Sequence, residues 1–293
     1  MATATRETFT SYDGLTLAYD VRGTGLDGAP PLVCLPGGPG GSAAYLGDLG
    51  GLDRHRRLVL LYTRGTGDSG VPTDPATYRM DRLVEDVEAL RAHLGVDRFD
   101  LLGHSAGAAV AVLYALAYPD RLAHLVVCNG TLRMLGLPPL GADEAAAARA
   151  DEPWYAAAME AEQTFQQLGS GAAAATLASL ERAFDPFLYG TWDDGARAHA
   201  DLVAGTKSAD AHAGFYAGYQ PDQDALRARL AGLAVPVLVI AGDRDVAPTP
   251  AFAAEVAGLF GDARATAVEG AGHYPWLDHP ERFVAEITSF LAG

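Results

Sequence analysis

The chain has 293 residues, 49% of them hydrophobic and 20% charged, with a net charge of −16 and two cysteines. That composition excludes a disordered chain, and the acidity excludes nucleic acid as a partner, because its phosphates would be repelled. No apolar run reaches about 18 residues, so no membrane span is expected. The opening MATATRETFTSYDG lacks a basic end followed by an apolar stretch, so no signal peptide is expected. Cys34 and Cys128 each sit in an apolar run and read as buried free thiols, which predicts a cytoplasmic protein.

In chain order, residues 15–21, 31–35 and 57–63 read as strands. The third runs into Gly65-Thr66-Gly67-Asp68-Ser69-Gly70, which matches the G-x-G-x-x-G of dinucleotide-binding proteins. In that motif a helix must open at the third glycine to hold the pyrophosphate. Here Val71-Pro72-Thr73-Asp74-Pro75 follows, and two prolines three apart argue against a continuing helix. No nucleotide cofactor is expected. Leu83, Val87, Leu90 and Leu94 then mark one face of an amphipathic helix. Residues 99–103 and 122–129 read as strands on either side of an Ala/Val/Leu helix over 105–118. Beyond residue 234 come strands at 235–241 and 265–268, and helices at 249–259 and 281–291 with Pro250 and Pro280 in their first turns. This alternation predicts an α/β fold with a mostly parallel sheet covered on both faces.

Residues 131–233 break the rhythm. They show no convincing strand, only Ala-rich helical stretches near 144–168, 172–184, 193–204 and 224–230. The expected organisation is a core of 1–130 and 234–293, with 131–233 inserted as an all-helical cap.

Chemistry enters at FDLLGHSAGAAVAVLYALAYP, where Gly103-His104-Ser105-Ala106-Gly107 falls at a strand-to-helix junction. This is the G-x-S-x-G nucleophile elbow in the context it requires. The sharp turn needs small neighbours, and the helix that follows aims N–H groups at developing negative charge. A serine hydroxyl needs a base, and His273, in a Gly-rich loop after the last strand, is placed to serve. His104 is pinned beside the elbow, and its side chain is expected to turn away. A carboxylate should hold the imidazole, and Asp243 and Asp245 both lie just past a strand end. Either completes the order Ser, Asp, His at the carboxyl ends of strands. No His/Cys cluster has zinc spacing, so no metal is expected.

These motifs resemble those of α/β-hydrolases with a helical cap, and most of all the proline iminopeptidase group. CLPGGPGGS is similar to that group's H-G-G-P-G loop, with Pro36 where histidine is usual. RGTGDSG resembles its R-G-x-G-x-S loop, in which the glycines shape a turn and bind no nucleotide. GHSAG, AGDRD and GAGHYPWLDHPERF complete the likeness across both core segments. The resemblance implies Asp245 rather than Asp243 as the acid, and the backbone N–H groups of Gly38 and Ala106 as the oxyanion hole.

Two departures bear on substrate. The group usually carries Trp after the nucleophile, where this chain has Ala106, and its acidic amine-binding residues have no match residue by residue. The 131–233 segment holds fourteen Asp/Glu against seven Arg/Lys, most of which read as solvated helix faces. Phe184, Phe187, Tyr189 and Trp192, with Trp276 from the last motif, are candidates to line an apolar pocket. The resemblance implies an aminopeptidase acting on short peptides or amides. An ester, thioester or lactone hydrolase with the same Ser105, Asp245 and His273 is the rival, and a non-hydrolytic binding member of the fold is a third reading.

Overall fold

In a computed structural model, which describes residues 4–24, 28–168 and 174–293, eight strands form one sheet. They are β1 (Thr5–Thr10), β2 (Thr16–Arg22), β3 (Leu32–Leu35), β4 (Leu58–Leu61), β5 (Phe99–His104), β6 (Leu122–Cys128), β7 (Val237–Gly242) and β8 (Ala263–Val268). Their spatial order is β1-β2-β4-β3-β5-β6-β7-β8. β2 pairs antiparallel with β1 and with β4, and every other pairing is parallel.

Why the central strands read as unbroken apolar runs is visible in the packing. Alternate side chains point to opposite faces, and both faces are covered. Val33, Leu35, Val59, Leu61, Leu101, Val127 and Val239 pack against α1 (Leu83–His93) and α2 (Gly107–Ala117) on one side. Their neighbours Leu32, Cys34, Leu58, Leu60, Leu102, Cys128 and Ile240 face the other core. Each such side chain contributes roughly 1.5–3 kcal/mol when fully buried.

Between β6 and β7 the described residues form α3 (Ala142–Ala147), α4 (Tyr155–Leu168), α5 (Ala174–Phe184), α6 (Asp194–Gly205), α7 (Ala209–Phe215) and α8 (Gln223–Ala231). The long helical stretch expected over 144–168 is broken, with turns between α3 and α4. Of the stretch expected over 172–184, residues 172 and 173 lie outside the described residues. α9 (Pro250–Ala257) then packs through Phe252 and Val256 on the α1/α2 face. α10 (Pro275–Asp278) leads into α11 (Pro280–Phe290), whose Phe283 and Ile287 cover the opposite face. β1, α7 and the single-turn α10 were not read from the sequence. β1 is an edge strand with Phe9 alone buried, so it carries little apolar pattern, and α7 is a short helix capped by the Ser208 hydroxyl. No described helix is long and apolar enough to cross a membrane.

The glycine loop after β4 turns back instead of opening a helix. Gly65 and Gly67 adopt φ of +68° and +54°, Gly65 N–H donates to the Gly70 carbonyl at 2.9 Å, and Gly70 N–H donates to Thr16 at 2.8 Å. Arg64 at its start is fully buried and donates twice to Asp86, at 2.7 and 2.6 Å, with a further pairing to Asp13. Removing one partner of such a pair strands the other charge, which costs about 3–5 kcal/mol. We expect Arg64→Met to lower the urea unfolding free energy by about that amount, and Asp86→Leu added to it to restore a good part of the loss. An Arg64→Met protein as stable as wild type would contradict this account of the loop.

Candidate active site

β5 ends at His104 and α2 opens at Gly107, so Ser105 stands on the turn between them. Its φ is +53°, a region that non-glycine residues enter at a cost and hold only where the surroundings enforce it. The enforcement is close packing of backbone. A Cβ on Gly103 would lie 2.6 Å from the Ala108 Cα, and one on Gly37 would lie 2.5 Å from the Ser105 Cβ. The loop after β3 is thereby laid directly against the serine. In it, and at the foot of α2, the N–H groups of Gly38 and Ala106 find no acceptor among the described residues. Ala106 caps the N-terminus of α2, where the helix dipole adds positive potential.

His273, 6% exposed, hangs from the loop after β8, and its Nδ1 lies 2.7 Å from Oδ2 of the fully buried Asp245. A buried carboxylate accepts, so Nδ1 carries the proton and Nε2 is left as a lone-pair acceptor. Asp245 is itself held on both oxygens: the Ala247 N–H donates to Oδ1 at 3.0 Å, and Asn129 Nδ2 donates to Oδ2 at 2.7 Å. Asp243, the other sequence candidate, is exposed and accepts from the Gly270 N–H at 2.6 Å. Asn129, just past β6, was not singled out in the sequence. Its φ of +45° and its full burial are the structural signs of its role.

Ser105, Ala106, Gly38 and His273 line one cavity of about 590 Å³. Of the five aromatics expected there, Phe184 and Tyr189 do line it. The other three pack elsewhere. Phe187 is fully buried against Ala158 and Val246 with its ring 4.7 Å from Trp154, and Trp192 lies against the Tyr189 ring at 5.3 Å. Trp276 is buried behind the His104 ring, 4.8 Å away. His104, expected to turn away, instead lines the cavity and lies 4.8 Å from the His273 ring. The chain must still satisfy both of its ring nitrogens, and it does so with Tyr45 and the His273 carbonyl.

Charged side chains line part of the cavity, while most acids of residues 131–233 are exposed, in line with their reading as solvated faces. Glu162, Glu181 and Asp185 line the cavity together with Arg133, Arg182 and Lys207. Arg182 pairs with Asp185, and Lys207 lies 3.3 Å from Glu181. Burial pushes the Asp185 carboxyl up to about 6, against the pull of Arg182.

A profile of the α/β-hydrolase fold matches residues 30–280. The chain belongs to the α/β-hydrolase fold family. A proline iminopeptidase of Saccharolobus solfataricus is 42% identical over 114 residues, which span 38% of this chain and 36% of that protein. The matched stretch is thus little more than a third of the relative's length. A proline iminopeptidase structure from Mycobacterium smegmatis superposes with a TM-score of 0.76 at 24% identity, covering 98% of each chain. An esterase from Rhodococcus sp. ECU1013 does so at 0.73, also at 24% identity and 98% of each chain. At that identity the two structures speak to the fold.

Within this family member, Asn129 donates to a buried charged acceptor, an interaction worth about 1.5–3 kcal/mol. We expect Asn129→Ala to lower kcat about ten- to hundredfold on any turned-over ester or amide, with KM little changed. Steady-state kinetics on the folded variant check this, and an unchanged kcat would remove Asn129 from the site.

Proposed function

We propose that the protein is a serine hydrolase, and that it acts as an aminopeptidase of the proline iminopeptidase kind on short peptides or amides. In this reading His273 Nε2 takes the Ser105 proton as Oγ attacks the scissile carbonyl, and Asp245 stabilises the imidazolium that forms. The Gly38 and Ala106 N–H groups receive the oxyanion; each such donor is worth about 3 kcal/mol of barrier. The leaving amine takes the proton from His273, and water then releases the acyl group from Ser105 with His273 again as base. No metal or cofactor is required. We assign residues 131–233 as a cap over a core of 1–130 and 234–293, and the protein to the cytoplasm, where buried thiols stay reduced.

The observation that carries the peptidase reading is Asp185. A half-buried carboxyl that lines the cavity, raised by burial despite its part-exposed partner Arg182, can take a substrate ammonium as a second cationic partner. Glu162 lines the same cavity as a second carboxylate, while Glu181 is paired with Lys207. The esterase reading rests on the apolar side chains that line the same cavity, Phe165, Leu180, Phe184, Leu188 and Val203.

Two measurements separate them. Prolyl- and alanyl-naphthylamides should be cleaved, and N-acetylating them should cost well over about tenfold in kcat/KM, since a partly buried charge pair is lost. A preference for the acetylated amide, or for octanoyl esters over every amide, counts against the peptidase. The second is pH dependence. The Asp185 carboxyl, raised to about 6, is charged above that pH and neutral below it. KM for the free-amine substrates should therefore climb as pH falls through about 6, while KM for a butyryl ester stays level. Asp185→Asn should abolish that climb; a climb that survives in the variant would exclude Asp185 as the amine partner.

A further inference from the structure

Three elements that the proposed reaction needs in register are joined by one buried chain of hydrogen bonds. The Gly37 N–H donates to the Tyr45 oxygen at 2.5 Å, the Tyr45 oxygen lies 2.7 Å from His104 Nδ1, and His104 Nε2 lies 2.9 Å from the His273 carbonyl oxygen. A carbonyl can only accept, so Nε2 bears the proton; Nδ1 is then the acceptor and the Tyr45 hydroxyl must donate to it. Every donor points the same way, from the loop after β3, through the residue before Ser105, to the backbone of the base.

Tyr45 and His104 are 3% and 1% exposed, so neither can exchange its partner for bulk water. Four rings close the space around His104: those of Tyr45, His273, Tyr274 and Trp276, with centroids 5.6, 4.8, 5.4 and 4.8 Å away. Burial and the neighbouring His273 hold the His104 imidazole well below its ordinary range, which keeps it neutral, and the His273 carbonyl at Nε2 selects the tautomer. Burial likewise keeps the Tyr45 hydroxyl protonated. His104 has no free nitrogen with which to act on a substrate.

We infer that Tyr45 and His104 are positioning residues that hold the Gly37–Gly38 loop and the His273 loop at a fixed separation across Ser105. The inference rests on the hydrolase reading and extends it, because the oxyanion donor at Gly38 and the base at His273 must both stay aligned with one serine. A 1 Å error in such alignment is enough to cost about a hundredfold in rate.

The test reads Ser105 phosphonylation by a fluorophosphonate, which needs the nucleophile, base and oxyanion hole but no knowledge of the substrate. Tyr45→Phe keeps the ring and orphans both the Gly37 N–H and His104 Nδ1. We expect its labelling rate, and kcat on any turned-over ester or amide, to fall about ten- to hundredfold with KM nearly unchanged. His104→Gln, which retains an N–H able to reach the His273 carbonyl, should label within a few-fold of wild type. His104→Asn is too short to reach and should lose about tenfold or more. Combining Tyr45→Phe with His104→Asn should cost little beyond the worse single change, since both break one chain.

A folded Tyr45→Phe that labels at the wild-type rate overturns the inference while leaving the hydrolase reading intact. So do single losses that multiply in the double variant. If Tyr45→Phe does not fold, equal labelling by His104→Gln and His104→Asn overturns it instead. Failure of wild-type Ser105 to label brings down the hydrolase reading and this inference together.

Discussion

The site depends on backbone being packed against backbone at Ser105. Its positive φ is held because the Gly37 loop and the start of α2 leave no room for relaxation, to the point that a single methyl at Gly37 or Gly103 would overlap its neighbours. That crowding is what presents the hydroxyl at the cavity and sets the Gly38 and Ala106 N–H groups beside it. Strain of this kind persists only where the rest of the molecule over-determines it, and the two buried cores on either face of the parallel sheet do so here.

The same tightness extends to the segment that forms the cavity wall. The His273 N–H donates to the Leu188 carbonyl at 2.7 Å, and one oxygen of Asp278 accepts from Gly190 and Gly272 at 3.0 and 2.9 Å. Arg244 binds the Gly190 carbonyl at 2.6 Å, and Arg149 binds that of Tyr189 at 2.8 Å. Leu188 and Gly190, which follow Phe184 and Asp185 in the chain, are thus tied to the loop that carries His273. In the proposed reaction these bonds would tie the cavity lining to the base, so that binding energy there could orient the reacting bond.

How much of this could be read from residues alone follows from what each feature leaves in the chain. The elbow, the acid pair and the His273 loop are local: small residues at fixed offsets after apolar strands, each forced by the geometry of a strand end. The choice between Asp243 and Asp245 needed resemblance, because both follow β7 and burial alone separates them. Phe187, Trp192 and Trp276 misled because ring density marks apolar surroundings without saying whether a cavity or a neighbouring ring fills them. The acids of the wall were masked by the many solvated acids around them, and only Asp185, desolvated beside the cavity, stands apart. The Tyr45–His104 chain was out of reach, since it joins residues 59 positions apart that have no pattern between them.

The central claim is that Ser105 is a nucleophile activated by His273 and Asp245. Incubation with a fluorophosphonate followed by peptide mass mapping tests it most directly. The account predicts stoichiometric phosphonylation of Ser105 in the wild-type protein, and loss of labelling in His273→Ala. Label on another serine, or a fully active protein that takes up none, would contradict it.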